Sequence, residues 1–228
     1  GLRERARALR ASNPGKEAFY TAIEASYQGL FFLMERMAGE AERLCPENRP
    51  MREGLRHLTG AAPSSLLEAM QTMLIYYDAV MAEGTVCRTF GRLDQLLYPF
   101  YQRDIASGAL DRAQAEGLIA CFLKKLNGYR VPANIPFALC GKKDGKAVAN
   151  ELSYLILEAF LKLRAPYVKL HFLYAEDTPE DIVKMALNGI ASGSNSIVFL
   201  SDRQVVSLLK KSGAGKRDAE EYSIVGCY

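Results

Sequence analysis

The residue with the clearest potential for chemistry is Cys227, which follows the apolar residues 222–225 in the sequence YSIVGCY. A thiol placed directly after a strand of an α/β fold lies where such folds carry their functional groups. A hydrolytic or thiol-transfer role would need a histidine as its base. The sequence contains His57 and His171, and neither spacing identifies a dyad with the cysteine. Cys-His catalysis and an ordinary buried thiol therefore both remain as alternatives.

The cysteines and the charges exclude several classes of protein. The five cysteines lie far apart, their number is odd, and no CxxC pair is present. This pattern disfavours a metal site and a disulfide framework, and it favours a reducing cytoplasm. A run of about eighteen apolar residues or a signal sequence is absent, so we expect no membrane segment. The net charge of +3, with acidic and basic residues interleaved, gives no indication of nucleic-acid binding.

Residues 1–130 are predicted to be mainly helical. Apolar residues recur at helical spacing from Phe19 to Leu44, and Asn13-Pro14 is predicted to open this helix. The segment SLLEAMQTMLIYYDAVM is apolar nearly all round and predicts a helix with neighbours on several sides. Further helices are predicted at residues 93–101 and 111–126.

Residues 131–228 are predicted to alternate between strands and helices. The segments IPFALCG, YVKLHFLY, SIVFLSD and YSIVG are strand candidates, and KKDGK predicts a turn after the first. The helical segments between them include TPEDIVKMAL, for which Thr178 is the predicted cap. This alternation is typical of an α/β fold with crossover-connected strands.

Several segments match one family pattern when they are taken together. Residues 91–101 read GRLDQLLYPFY, and residues 145–159 read GKAVANELSYLILEA. The helical segment LLEAMQ lies upstream, and the DA pair at 218–219 precedes YSIVGC at 222–227. In their order and approximate spacing, these segments resemble the motifs of the glycyl radical enzymes, the pyruvate formate-lyase superfamily. The resemblance extends over nearly the whole chain.

The resemblance implies a fold and a catalytic residue. The chain would form a helix-rich part plus part of a ten-stranded α/β barrel, and Cys227 would become a thiyl radical that abstracts hydrogen from the substrate. The family stores its radical on a glycine in a C-terminal domain, where a separate radical-SAM activating enzyme installs it. None of the 228 residues matches that glycyl radical loop. We therefore expect an internal fragment that binds no cofactor, is inactive alone and needs the remaining C-terminal part of the enzyme as its partner.

The resemblance also indicates residues near the substrate. Cys87 and Thr89 precede the GR motif, where the family places small polar residues that face the substrate. Phe137 lies on a strand that often provides a pocket aromatic, and His171 lies where the family often has an arginine. For each of these residues, an ordinary loop or core role is the alternative. The sequence also departs from the family at Cys140, where a glycine is common.

The reaction class follows from the single cysteine. Formate-lyases carry two adjacent cysteines, whereas Cys227 lies between Gly226 and Tyr228. We therefore expect a dehydratase, lyase or decarboxylase that acts on a small polar metabolite, within an enzyme that forms a homo-oligomer. A formate C-acetyltransferase-like member is one alternative. A non-catalytic helical interaction module, with the cysteine as a surface thiol, is the other.

Overall fold

The computed structural model describes residues 2–85, 88–129 and 135–225. The helices are α1 (Leu2–Ser12), α2 (Glu17–Leu44), α3 (Arg49–Leu58), α4 (Leu66–Ala82), α5 (Leu93–Ala106), α6 (Arg112–Gly128), α7 (Glu151–Leu163), α8 (Glu180–Ala191), α9 (Asp202–Lys211) and α10 (Lys216–Glu220). The strands are β1 (Ile135–Cys140), β2 (Lys142–Lys143), β3 (Lys146–Ala147), β4 (Val168–Tyr174) and β5 (Ile197–Ser201). The predicted α/β class is confirmed.

Residues 1–84 form one compact unit, which contains α1 to α4. Its core joins α2, α3 and α4 through the buried side chains of Met34, Ala38, Ala41, Leu55, Leu58 and Ile75. The predicted start of α2 is wrong, because the helix begins at Glu17 with Lys16 as its N-cap. The side-chain amide of Asn13 instead donates a hydrogen bond of 2.8 Å to the carbonyl of Leu9, so this residue closes α1.

Residues 85–228 form a second compact unit, which is built around a parallel sheet. Among the described residues, the sheet has the strand order β1-β4-β5. Ile135 to Cys140 pair with Val168 to Leu173, and Leu170 to Tyr174 pair with Ile197 to Ser201. Parallel neighbours need crossover connections, and α7 and α8 lie within the two crossovers.

The sheet has two differently covered faces, because successive side chains point to opposite sides. On the first, here called the α7 face, the ring of Phe137 packs edge-on against Phe160 of α7, with centroids 5.7 Å apart. On the second, the α9 face, Ala138 and Leu173 share a buried cluster with Val206 of α9. Both faces of β1 are thus buried, which explains its continuous apolar sequence.

The predicted strand at residues 222–225 is wrong, because these residues pair with no strand in the described part of the chain. Tyr222 and Ile224 belong to the apolar cluster on the α9 face, with Ala219 of α10. The segment therefore packs on a face of the sheet, where Tyr222 is buried and Ile224 is partly buried without the ladder of hydrogen bonds that an edge would offer.

Two local predictions around turns have different outcomes. The predicted KKDGK turn is confirmed as a hairpin between β2 and β3, in which Asp144 and Gly145 have φ angles of 54° and 81°. This backbone geometry is typical of a two-residue hairpin loop with a right-handed twist. The predicted Thr178 cap is wrong, since α8 has Pro179 as its N-cap. The Thr178 hydroxyl instead accepts a hydrogen bond of 3.0 Å from the amide of Ala175.

Candidate active site at the carboxyl edge of the sheet

The candidate site lies where the parallel strands end. β1 ends at Cys140, β4 at Tyr174 and β5 at Ser201, and the strand register places these residues along one edge. Open parallel sheets bind their ligands at this carboxyl edge. α9 begins directly after β5, so its first residue, Asp202, also lies here.

The GR motif reaches this edge as an extended segment beside β1. The amide of Phe90 donates to the carbonyl of Pro136 over 3.0 Å, and the amide of Ala138 donates to the carbonyl of Gly91 over 2.7 Å. Gly91 has a φ of 67°, which favours glycine, and the next residue, Arg92, forms a parallel bridge with Ala138. This pairing brings the arginine to the carboxyl end of β1.

Arg92 connects two parts of the chain that are remote in sequence. Its side chain is buried, and Nη1 donates hydrogen bonds of 2.9 Å to the backbone carbonyls of Lys142 and Glu220. Lys142 begins the hairpin after β1, whereas Glu220 ends α10, shortly before the segment that leads to Cys227. A guanidinium bound to two carbonyls fixes their separation, because its donors are arranged in a rigid plane.

Asp202 provides a buried negative charge near this guanidinium. The residue has no exposed surface, and burial raises the pKa of its carboxyl while the hydroxyl of Tyr222 and the charge of Arg92 oppose the increase. Burial, and then the charge of Asp202, also raise the pKa of Tyr222. The Tyr222 hydroxyl faces the carboxylate at the margin of hydrogen-bond geometry. A buried polar cluster, here called the Arg92 cluster, is therefore formed by Arg92, Asp202 and Tyr222.

Asp94 is a second buried carboxylate at the same edge. Oδ2 accepts hydrogen bonds from the amide of Cys140 over 2.9 Å and from the hydroxyl of Ser153 over 2.6 Å. Oδ1 accepts from the amide of Gln95 over 2.8 Å. Burial raises the pKa of Asp94, and the hydrogen bond from Ser153 is the largest opposing effect. The carboxylate thereby holds together β1 and the N-termini of α5 and α7, where helix dipoles favour a negative charge.

The predicted site residues occupy different environments. Cys87 and Cys227 lie outside the described residues. The hydroxyl of Thr89 donates to the carbonyl of Pro136 over 3.2 Å and accepts from the amide of Gly91 over 3.1 Å, so its hydrogen bonds hold the GR segment.

Phe137 and His171 lie on opposite faces of the sheet. Phe137 has no exposed surface and packs on the α7 face, so it contacts a substrate only if its neighbours move. His171 is the register partner of Ala138 and therefore shares the α9 face. Burial lowers the pKa of this histidine, which keeps the imidazole neutral at neutral pH. The structure therefore does not bring these two residues together in one pocket.

The sequence patterns do not single out Arg92, Asp94, Asp202 or Tyr222. Arg92 and Asp94 lie within the GRLDQ segment, and Tyr222 lies within the YSIVGC segment. Asp202 is a charged residue directly after an apolar strand, which is itself a signal for the carboxyl edge of an α/β sheet.

Within residues 2–85, 88–129 and 135–225, no group of three His, Cys, Asp or Glu side chains could hold a metal ion. No helix in that part of the chain is long and apolar enough to cross a membrane.

Known proteins resemble both the sequence and the fold. The chain is 28% identical over 194 residues to the 4-hydroxyphenylacetate decarboxylase glycyl radical subunit of Clostridioides difficile. This match covers 77% of the chain and 22% of the subunit. The chain is also 27% identical over 182 residues to a trans-4-hydroxy-L-proline dehydratase of the same organism, with 72% and 23% covered. The crystal structure of a glycyl radical enzyme from Archaeoglobus fulgidus matches with a TM-score of 0.86 and 26% identity.

These matches cover most of this chain and a minor part of each relative. The Archaeoglobus structure covers 98% of the chain, whereas the chain covers 32% of that structure. The chain thus spans less than a quarter of the length of the two curated relatives. The relatives are glycyl radical enzymes that include decarboxylases, dehydratases and lyases. The family model described as pyruvate formate lyase-like matches residues 2–228, and the chain therefore belongs to the pyruvate formate lyase-like family of glycyl radical enzymes.

Proposed function

We propose that this chain is the part of a longer glycyl radical enzyme that carries the hydrogen-abstracting residue, Cys227. The observation that carries the proposal is the packing of Tyr222 and Ile224, in residues 222–225, against the α9 face. This segment leads directly to Gly226-Cys227, and it is anchored at the carboxyl edge, where α/β enzymes carry out their chemistry.

The proposed reaction begins with the removal of a hydrogen atom from a substrate carbon by the Cys227 thiyl radical. The C–H bond breaks homolytically, an S–H bond forms, and the unpaired electron remains on the substrate carbon. After a group such as water leaves, the product radical takes the hydrogen atom back from the thiol, which regenerates the thiyl radical. The glycyl radical, installed by a radical-SAM activating enzyme, would first take the hydrogen atom of the Cys227 thiol, so that the S–H bond breaks, a glycine C–H bond forms and the unpaired electron remains on sulfur.

The residues of this chain suit hydrogen-atom transfer better than acid–base activation of a thiol. A sulfur that exchanges hydrogen atoms requires no histidine base, and burial lowers the pKa of His171, which makes its imidazole a weaker base. A thiyl radical also needs a site from which water is excluded. The described residues of the α9 face are suited to this need, since Ala138 and Leu173 have no exposed surface.

The substrate we propose is a small polar metabolite that undergoes dehydration, decarboxylation or another lyase reaction. The single cysteine of the GCY sequence and the reactions of the relatives support this class. We further propose that Thr89 and Cys87 lie near the substrate, that the enzyme acts in an anaerobic cytoplasm, and that it forms a homo-oligomer. The isolated chain should show no turnover, because it offers no match to the glycine loop that stores the radical.

The test compares Cys227→Ala with the wild type in the full-length enzyme, activated anaerobically by its radical-SAM partner. The expected result is a glycyl radical signal of wild-type intensity in electron paramagnetic resonance and no turnover of the candidate substrates tested, which are trans-4-hydroxy-L-proline and 4-hydroxyphenylacetate. Cys121→Ala, which removes an exposed thiol on α6, is the matched control and should retain the glycyl radical signal and the turnover of the wild type. Turnover by Cys227→Ala that equals the wild type would overturn the assignment.

A further inference from the structure

The segment that leads to Cys227 is attached to the rest of the unit by both a polar and an apolar contact. Nη1 of Arg92 binds the carbonyl of Glu220, two residues before Tyr222. Ala219 and Tyr222 are buried against the α9 face together with Leu173. The apolar contact alone would allow the segment to slide along the sheet, whereas a hydrogen bond to a single carbonyl fixes its position along the chain.

A buried charge lies beside this attachment, although an apolar side chain could be buried there at a lower cost in free energy. Asp202 has no exposed surface, and neither of its carboxylate oxygens has a partner in hydrogen-bond geometry among the described residues. Nε and Nη2 of Arg92 and the hydroxyl of Tyr222 are likewise buried without such a partner in that part of the chain. Burial of a charged carboxylate is by itself destabilising, so its place beside this attachment points to a role there.

The Asp202 carboxylate is surrounded by groups of both signs. Arg92 and Lys142 are positive groups that act on it and Tyr222 supplies a hydroxyl, whereas the Glu220 carboxylate opposes them as a like charge. The Asp202 carboxylate and the Arg92 guanidinium form no direct hydrogen bond in the described part of the chain, so the two charges act on each other at longer range. Loss of the negative charge would leave the buried guanidinium less well compensated, and this guanidinium holds the carbonyl of Glu220.

We propose that Arg92, Asp202 and Tyr222 are positioning residues that set where the segment carrying Cys227 crosses the sheet, an inference that rests on the proposed role of that cysteine. The cluster acts on the protein segment and not on the substrate. Its loss should therefore lower the rate of hydrogen abstraction without weakening substrate binding. A shift of about 1 Å in a reacting group is sufficient to lower a rate by about 100-fold.

The experiment uses the full-length activated enzyme and expresses kcat per glycyl radical, counted by electron paramagnetic resonance. Asp202→Asn keeps the size of the side chain and removes its charge, and we expect it to lower this kcat by about 10-fold or more. Tyr222→Phe keeps the ring in the apolar cluster and removes one oxygen, and it should lower kcat by about 3-fold. KM should stay within about 2-fold of the wild type for both variants.

The control variant is Glu180→Gln, which also removes one negative charge, at a side chain that is 81% exposed on α8. It should match the wild type in kcat, KM and radical content. A merely structural role for the cluster would lower the yield of folded or activated enzyme and leave kcat per radical unchanged, and that result would overturn the proposal. If Asp202→Asn fails to fold, Tyr222→Phe decides the outcome.

The outcomes separate this inference from the proposed function. Turnover by Cys227→Ala would contradict the proposed function, whatever the cluster variants do. Loss of turnover in Cys227→Ala, together with wild-type kcat in Asp202→Asn and Tyr222→Phe, would contradict the positioning role alone. The rate at which iodoacetamide alkylates Cys227 in the unactivated enzyme provides a second measure, and it should change in both cluster variants while that of Cys121 stays constant.

Discussion

The hydroxyl of Ser153 donates a hydrogen bond of 2.6 Å to Oδ2 of Asp94, and both residues lie in the first turns of their helices. Ser153 also completes a capping box with Asn150 at the start of α7. One hydroxyl thus joins the N-termini of α5 and α7 through a buried carboxylate, to which the amide of Cys140 at the end of β1 also donates.

The first prediction concerns the energy of this connection. Asp94→Ala should lower the free energy of unfolding by about 2–4 kcal/mol, because buried donors lose the carboxylate that satisfies them. Ser153→Ala should lower it by about 1–3 kcal/mol. A double-mutant cycle by urea denaturation should give a coupling of about 1–2 kcal/mol between the two substitutions. The control cycle combines Asp94→Ala with Asp111→Ala, which removes the cap of α6, and the two effects should be additive. Equal coupling in both cycles would contradict a direct interaction between Asp94 and Ser153.

The second prediction compares two glycines that follow β1. Gly141 and Gly145 have φ angles of 88° and 81°, so alanine is strained at both positions. A Cβ at Gly141 would lie 3.1 Å from Cδ1 and 3.2 Å from Cβ of Leu173, whereas a Cβ at Gly145 would contact nothing within 4 Å. Gly145→Ala should therefore cost about 1 kcal/mol of folding stability and Gly141→Ala about 1–3 kcal/mol more. Thermal unfolding of the two variants checks this order.

The third prediction compares two glycines inside helices. Gly117 in α6 is exposed, and a Cβ there would meet nothing within 4 Å, so Gly117→Ala should raise the free energy of unfolding by about 0.5–1 kcal/mol. A Cβ at Gly189 in α8 would lie 2.3 Å from Cδ2 of Leu161 and 3.2 Å from Cδ1 of Ile197. Gly189→Ala should therefore destabilise the protein by about 1–3 kcal/mol. Stabilisation by both substitutions would contradict the packing of α8 against α7.

The fourth prediction concerns pH. Burial lowers the pKa of His171 from its ordinary value of 6.5, so the unfolded chain binds a proton that the folded chain does not. The stability contributed by the neutral imidazole is therefore present above pH 6.5 and is lost as the pH falls towards the lower pKa of the folded state. The free energy of unfolding should fall by up to about 1.4 kcal/mol per pH unit in this window.

The variant His171→Asn should remove this part of the pH dependence, as measured by urea denaturation between pH 5.5 and pH 7.5, a window of roughly one unit on either side of the free histidine pKa. His57→Asn leaves His171 in place and serves as the matched control, which should keep the slope that His171 produces. Identical slopes in the wild type and His171→Asn would show that the buried histidine is not the titrating group.

The regular elements could be predicted because their patterns are local. The run IPFALC is apolar without interruption and is followed by a glycine, which suits a strand buried on both faces, as β1 is. The five-residue helix α10, with the sequence KRDAE, has no apolar period and was not predicted. The apolar alternation of residues 222–225 was mistaken for a strand, because burial on a sheet face and pairing at a sheet edge produce the same pattern.

The candidate site was predictable only in part, because its members meet through tertiary structure. The family resemblance assigned a catalytic role to Cys227, whereas Arg92, which lies in the GR motif, received no role. That Arg92 lies near Asp202 depends on the strand order β1-β4-β5 and on the parallel pairing of the GR segment with β1. No spacing in the sequence encodes that proximity. Likewise, the alternation of side chains assigned Phe137 and His171 to opposite faces only once the strand register was known.

The hydrogen bond between Arg92 and the carbonyl of Glu220 also constrains when the unit can fold in the cell. The two residues are 128 positions apart, and at translation rates of about 5–20 residues per second the ribosome makes the acceptor roughly 6–26 s after the donor. Throughout that interval, the nascent GR segment lacks the partner that closes the carboxyl edge. The edge is therefore among the last parts of this unit to close during synthesis, and until then chaperones have access to it.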